Sequence, residues 1–258
     1  MEWFLLIAAG VVLASLLAVA GLLLVRRSPR FERYIGDNDV PGLLFGALGA
    51  LYGALLAFVV FGTWDSYTRA EAAVTTEGAQ LVGVYRDTQL FPEPLRQDAQ
   101  AALRTYAETV VATEWRSHGN LIVHSTPDLL NPVWAVYRQV QPSDVINESQ
   151  ITVSRENLHA LEVQRHERHL SGEQSLPPVF WPVLLAGSVV LVLFSYAFHQ
   201  TNLRAQAIMT GLVTAMLTLV LLLIYSLNQP FVGPMPVSQQ PILHALAQFD
   251  AIDLPPQP

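Results

Sequence analysis

The stretch from Gly42 to Leu90, GLLFGALGALYGALLAFVVFGTWDSYTRAEAAVTTEGAQLVGVYRDTQL, contains no proline and decides the fold. Its first half is apolar and glycine-rich. Its second half turns polar at Asp65 with no break signal. One continuous helix of this length reaches roughly 70 Å, more than twice the ~30 Å hydrocarbon core of a bilayer. The stretch therefore predicts a membrane helix that leaves the bilayer and continues as a soluble stalk. At 100° per residue Gly42, Gly46, Gly49 and Gly53 fall within about 60° of one another, with Ala57 next to them. Leu44, Leu48, Leu51, Leu55 and Phe58 take the opposite side. A glycine stripe lets another backbone approach closely. It predicts helix packing, or, more specifically, a face that meets its own copies around a pore.

Working outward, Trp3 to Val25 is an uninterrupted apolar run long enough to span. A signal peptide fits it badly, because Glu2 precedes it and the arginines follow it. Arg26, Arg27, Arg30 and Arg33 come next, then a turn cluster from Gly36 to Pro41. Past the stalk, Phe91-Pro92-Glu93-Pro94 predicts a stop. Leu95, Ala99, Leu103, Tyr106 and Val110 then lie on one helix face that runs to Trp115 and ends at Gly119-Asn120. Thr126-Pro127-Asp128 reads as a capped start of a helix through about Val140. Pro142-Ser143-Asp144 reads as the start of another that stops at Gly172. Leu176-Pro177-Pro178 leads into a third span, Val179 to Phe198, and a tight turn from His199 to Arg204 leads into a fourth, Ala205 to Leu227.

The expected architecture is all-α, an integral membrane protein with four transmembrane helices and a helical hairpin module between the second and third. Residues 1–63 form a first transmembrane hairpin, 64–178 the extramembrane module, 179–228 a second transmembrane hairpin and 229–258 a tail. The tail holds a short amphipathic piece, Ile242 to Phe249, and a proline-rich end expected to be disordered.

Composition agrees. The chain of 258 residues is 52% hydrophobic and only 14% charged, against ~25% charged for a soluble domain. It has no cysteine, which excludes disulfides and thiolate chemistry. A net charge of −7 argues against a nucleic-acid partner. The loops at 26–41 and 199–204 share one side and carry Arg26, Arg27, Arg30, Arg33 and Arg204. The other side has Arg69, Arg165 and Arg168 near the membrane. The positive-inside rule makes the loop side cytoplasmic and puts the module outside a bacterial inner membrane.

Few residues suggest chemistry. His159, Glu162, His166 and His169 share a helix face at i, i+3, i+7 and i+10, a donor set suited to zinc. The ends of that row lie about 15 Å apart, too far for one ion, and an exposed polar face is the favoured reading. Arg165 and Arg168 have stalk acids such as Glu71 or Glu77 as ion-pair partners, or attract an inorganic anion at a membrane mouth. No G-x-S-x-G, H-E-x-x-H, phosphate-loop or dinucleotide motif occurs, so neither an enzyme nor a cofactor is expected. The spans carry no charged residue at mid-depth, which disfavours a charge-coupled transporter but not a pore.

Several short motifs in order carry a resemblance. They are Leu51-Tyr52-x-x-Leu55-Leu56-Ala57-Phe58-Val59-Val60 with Trp64, Ala70, Glu77, Leu81 and Tyr85-Arg86; then Arg104-Thr105-Tyr106, Val110-Val111 and Glu114-Trp115. After these come Arg165-x-x-Arg168-x-Leu170, Leu176-Pro177, Trp181, and Pro230-Phe231-x-Gly233 with Val237. From about Gly42 to Phe249 the chain resembles the bacterial membrane-protein family known as bestrophin-like, a family of unknown function. The resemblance implies distant kinship to bestrophins, pentameric anion channels whose long second helix lines the pore. It differs from them in lacking their acidic calcium clasp after the last span, where only Asp250 and Asp253 stand. An oligomeric, anion-conducting channel is the leading expectation. The alternative is a non-enzymatic sensor or interaction protein whose extramembrane module binds a partner or ligand.

Overall fold

The computed structural model describes residues 2–27, 39–115, 128–143, 146–173, 176–198, 202–232 and 234–254. Every regular element among them is helical: α1 Glu2–Arg26, α2 Asp39–Asp87, α3 Leu95–Thr109, α4 Asn131–Tyr137, α5 Glu148–Glu173, α6 Phe180–Tyr196, α7 Leu203–Leu227 and α8 Gln240–Asp253. A 3-10 turn, Thr88–Leu90, closes α2, and a π-helical turn, Val110–Glu114, follows α3. The all-α reading holds, and α2 runs 49 residues without interruption.

Three helices, α1, α2 and α7, are long and apolar enough to cross a membrane. The expected third span is shorter than its apolar stretch. α6 has 17 residues, at the lower limit of about 17 for a span. It ends at Tyr196, and beyond it the carbonyl of Phe198 accepts hydrogen bonds from Arg26 and Gln206. Several expectations lie outside the described residues: Arg30, Arg33, the turn residues Gly36 to Asn38, Gly119-Asn120, Thr126-Pro127, Asp144, His199, Gly233 and the proline-rich end, 255–258.

The chain divides into two compact units, and α2 supplies residues to both. Unit 1 comprises 1–65 and 175–228, and unit 2 comprises 66–174 and 229–258. In unit 1, α1 packs along α7, and close approach depends on small residues. Gly21 of α1 lies under Tyr196, whose hydroxyl donates to the Ala18 carbonyl at 2.7 Å. Tyr52 of α2 lies over Gly187 of α6, and its hydroxyl bonds the Leu184 carbonyl and Ser188 Oγ. Leu56, Val59, Leu184, Leu191 and Ile224 fill the space around it.

Unit 2 has the larger core. Val74, Leu81 and Tyr85 of α2 meet Leu103 and Tyr106 of α3, Val133 and Tyr137 of α4, and Leu158 and Leu161 of α5. The helix expected through Val140 spans only Asn131–Tyr137. The next begins at Asn147 rather than Pro142, where Asn147 and Gln150 cap each other reciprocally: each side chain accepts the other's backbone N–H, at 2.9 and 3.0 Å.

The 229–258 segment is not a loose tail up to Leu254. Ile242, Ala245 and Phe249 of α8 are buried in the unit 2 core, and Phe249 stacks on Tyr85 with ring centroids 3.9 Å apart. Gly78 makes this docking possible, since a Cβ there would stand 2.7 Å from the Pro241 carbonyl oxygen. Asp250 and Asp253 hold α8 in place through Arg104 and the Tyr85 hydroxyl.

The glycines in the apolar helices separate into two kinds. A Cβ at Gly187 would collide with the Tyr52 ring, whereas one at Gly53 meets nothing within 4 Å. Gly187→Ala is expected to lose about 1–3 kcal/mol through overpacking. Gly53→Ala should leave stability unchanged or raise it by up to about 1 kcal/mol through helix propensity. Thermal unfolding of both variants in detergent checks this; equal loss in the two would contradict the packing described.

Candidate functional site

Two features of α2 are candidates for function, one in each unit. The first is the glycine stripe. Gly46, Gly49 and Gly53 have no atom within 4 Å of a built Cβ, and Gly42 has only a Phe198 ring carbon at 3.9 Å. Ala57 is exposed. The packed face of this half of α2 is a neighbouring one, formed by Phe45, Tyr52, Leu56, Val59 and Thr63. On the far side Leu44, Leu51 and Phe58 are also exposed, 51%, 71% and 78%. Large aliphatic and aromatic groups there suit lipid. A glycine stripe offers lipid little side-chain contact and suits a second backbone or water. Within one chain this stripe is thus left uncovered while the face beside it is filled.

The second is a buried ionic cluster in unit 2. Glu77 is fully buried on the packed face of α2. Arg168 of α5, 5% exposed, donates to it twice, from Nε at 2.5 Å and from Nη2 at 3.3 Å. The Tyr106 hydroxyl of α3 donates to the same carboxylate at 2.5 Å. The Arg168 guanidinium also lies 5.3 Å from the centre of the Trp115 ring, and the Trp115 indole donates to the Val237 carbonyl at 3.2 Å. The π-helical turn before Trp115 sets that geometry, its backbone N–H reaching back to Val110. A buried carboxylate requires this degree of pairing. The cluster joins α2, α3, α5 and the segment after α7. Burial pushes the Tyr106 phenol well above its ordinary range, and the adjacent carboxylate adds to the rise. Tyr106 therefore stays a proton donor.

The other expected site residues separate. Arg165 does not join the Glu77 cluster; it bonds Asp128 at 2.8 Å and lies over the Tyr106 ring. Glu71 is exposed on α2. His159 Nδ1 lies 3.5 Å from Glu162, His166 is exposed and His169 half-buried. Among the described residues no group of three or more His, Cys, Asp or Glu is placed to hold a metal. Sequence reading offered Glu71 or Glu77 as partners for Arg165 and Arg168; the structure gives Arg168 to Glu77 and Arg165 to Asp128, which sequence reading had placed only at a helix start. Tyr106 and Trp115 read there as members of an apolar face. Their polar atoms, which make the cluster, carry no signal at helical spacing.

The Bestrophin-like domain model matches residues 12–242 of the chain. No curated protein sequence matches it. Among solved structures, a mutant of a bacterial Bestrophin homolog from Klebsiella pneumoniae is similar, with TM-score 0.73 and 11% identity, covering 95% of this chain and 99% of that chain. A second mutant gives TM-score 0.69 at 10% identity, covering 98% and 99%. A mutant membrane protein gives TM-score 0.72 at 12% identity, covering 93% and 96%. At these identities the likeness is one of fold.

Two outcomes are expected from the cluster. Arg168→Met leaves Glu77 buried without its cation and should cost about 3–5 kcal/mol, while Glu77→Leu with Arg168→Met should recover most of that loss. Thermal unfolding of the full chain in detergent measures both, and additive losses would contradict the pairing. The second outcome concerns alkali. Burial raises the phenols of Tyr106, Tyr137 and Tyr85, the last to about 12 with help from Asp253. The folded module then holds these protons more tightly than the unfolded chain does. Their stabilisation is full below about pH 10 and is lost as pH rises through 10 towards the folded values. Unfolding temperatures should drop between about pH 10 and pH 12; no drop would contradict the burial of these groups.

Proposed function

The chain belongs to the Bestrophin-like family, and from that premise we propose that it assembles as an oligomeric, anion-conducting membrane channel. The observation that carries this reading is the open glycine stripe of α2. Gly46, Gly49 and Gly53 have nothing within 4 Å of a Cβ, although Tyr52, Leu56 and Val59 beside them are buried. Copies of the chain brought together on this stripe would set α2 helices close around a common axis. Small residues there leave room for a path, and the absence of charged side chains at mid-depth suits conduction without coupling. Arg165 lies near the membrane in sequence, and we assign it with Arg168 and Glu71 to the electrostatics of the module rather than to the conducting path. The module lies outside a bacterial inner membrane in this reading, with Arg26, Arg27 and Arg204 on the cytoplasmic side.

Purified protein in liposomes tests the channel directly. Chloride flux should exceed potassium flux. Gly49→Leu or Gly53→Leu should cut it at least tenfold while leaving the protomer folded, since a Cβ at either position has nothing within 4 Å. No flux of either ion from folded, oligomeric protein would overturn the channel reading. It would favour an interaction protein, for which the groove of about 320 Å³ lined by Thr75, Gly78, Ala79, Val82, Pro241 and Gln248 is the natural seat.

Topology has its own test, made clean by the absence of cysteine. A single cysteine at exposed Gln139 should react with a membrane-impermeant maleimide in intact cells, and one at exposed Asn202 should not. The reverse pattern would place the module in the cytoplasm.

A further inference from the structure

The membrane half of α2 is held to unit 1 by contacts of two kinds. The first kind is apolar. Phe45 lies 5.8 Å from Phe194 and 5.3 Å, edge-on, from Phe198. Leu56 and Val59 share a cluster with Leu184, Leu191 and Ile224. Such contacts have no preferred direction. Within a bilayer they also lack a hydrophobic drive, because lipid tails are as apolar as leucine. They keep α2 beside its neighbours and do little to fix its rotation about its own axis.

Tyr52 makes the second kind. Its hydroxyl has one proton, which goes to the Leu184 carbonyl. Its oxygen, 2.8 Å from Ser188 Oγ, then accepts from that serine. Tyr52 and Ser188 are both buried. Gly187 admits the ring, since a Cβ there would collide with it. Among the described residues from Gly42 to Thr63, these two are the hydrogen bonds that α2 makes to another helix. Both end on one turn of α6, so they fix height and rotation together. A phenol in the hydrocarbon layer has no water to turn to, and leaving this seat would strand its proton. The seat also orients the rest of the helix. At 100° per residue, Gly46, Gly49 and Gly53 lie roughly 60–120° around α2 from Tyr52. Where Tyr52 is fixed, the open stripe is fixed with it.

We propose that Tyr52 is a positioning residue for conduction: its bonds to Leu184 and Ser188 set the rotation of α2 and so aim the glycine stripe at the common axis of the oligomer. The inference rests on the channel reading. Tyr52→Phe keeps the ring over Gly187 and removes both bonds. In planar bilayers the chloride-to-potassium permeability ratio, read from the reversal potential, should fall at least threefold in this variant. Leu191→Ala loosens the same apolar cluster without touching the hydroxyl, and should keep the parent ratio. An unchanged ratio in Tyr52→Phe, or an equal fall in Leu191→Ala, overturns the proposal. A second readout follows the rotation itself. Nitroxide labels on Gly53→Cys and Phe58→Cys, made singly in the cysteine-free chain, report contact with lipid through collision with oxygen. Phe58 is on the exposed, lipid-suited side. Its label should collide at least threefold more often than the label at position 53, and Tyr52→Phe should cut that contrast at least by half. A contrast that survives Tyr52→Phe overturns this proposal and leaves the channel standing. Absence of flux or of contrast in the parent protein overturns the channel reading and this proposal together.

Discussion

The unbroken backbone of α2 is the constraint on which the rest depends. With no proline or break between Gly42 and Asp87, one face of one helix has to be buried along its whole length. Tyr52, Leu56 and Val59 belong to that face in the first half, and Val74, Glu77, Leu81 and Tyr85 in the second. At 100° per residue all seven fall within roughly 80° of one another. The first group meets apolar helices, and hydroxyls such as that of Tyr52 find backbone or serine partners there. The second group meets a water-soluble type of core, and it includes a carboxylate. Placing Glu77 on the buried row makes Arg168 and Tyr106 necessary, since a lone carboxylate in that position would be costly. What remains of the helix surface in the first half is the glycine stripe and the lipid-suited leucine side.

Much of this was legible in the sequence. The length and polarity switch of α2, the apolar runs of α1 and α7, and the all-helical character follow from periodicity and proline placement, which are local properties. Helix starts were less legible. Pro142-Ser143 looks like an opening, yet the chain waits for Asn147, whose partner Gln150 gives a reciprocal cap that proline cannot. The end of α6 falls two residues before the apolar run ends at Phe198, whose carbonyl takes hydrogen bonds from Arg26 and Gln206 that no local pattern announces.

The candidate sites were legible in proportion to how local they are. A glycine stripe can be counted along one helix, although its being uncovered cannot. The Glu77–Arg168 pair joins residues 91 positions apart, so many pairings were compatible with the sequence. Asp250 and Asp253 illustrate the same limit. In the sequence they are only two acids after the last apolar run, whereas in the structure Arg104 and Tyr85 engage them and they anchor α8.

The docking of α8 has a consequence for biogenesis. Val237, Ile242, Ala245 and Phe249 complete a core whose other buried members all precede α6 and α7 in the chain. During synthesis the module therefore emerges with Tyr85 and its neighbours uncovered, and two apolar helices must be made and inserted before the missing piece appears. Contacts of such sequence separation form late and slowly. The half-built module is an exposed apolar surface for the whole of that interval, the kind of intermediate on which aggregation and chaperone capture act. Membrane insertion and module folding are thus coupled in time: the second cannot finish until the first has passed.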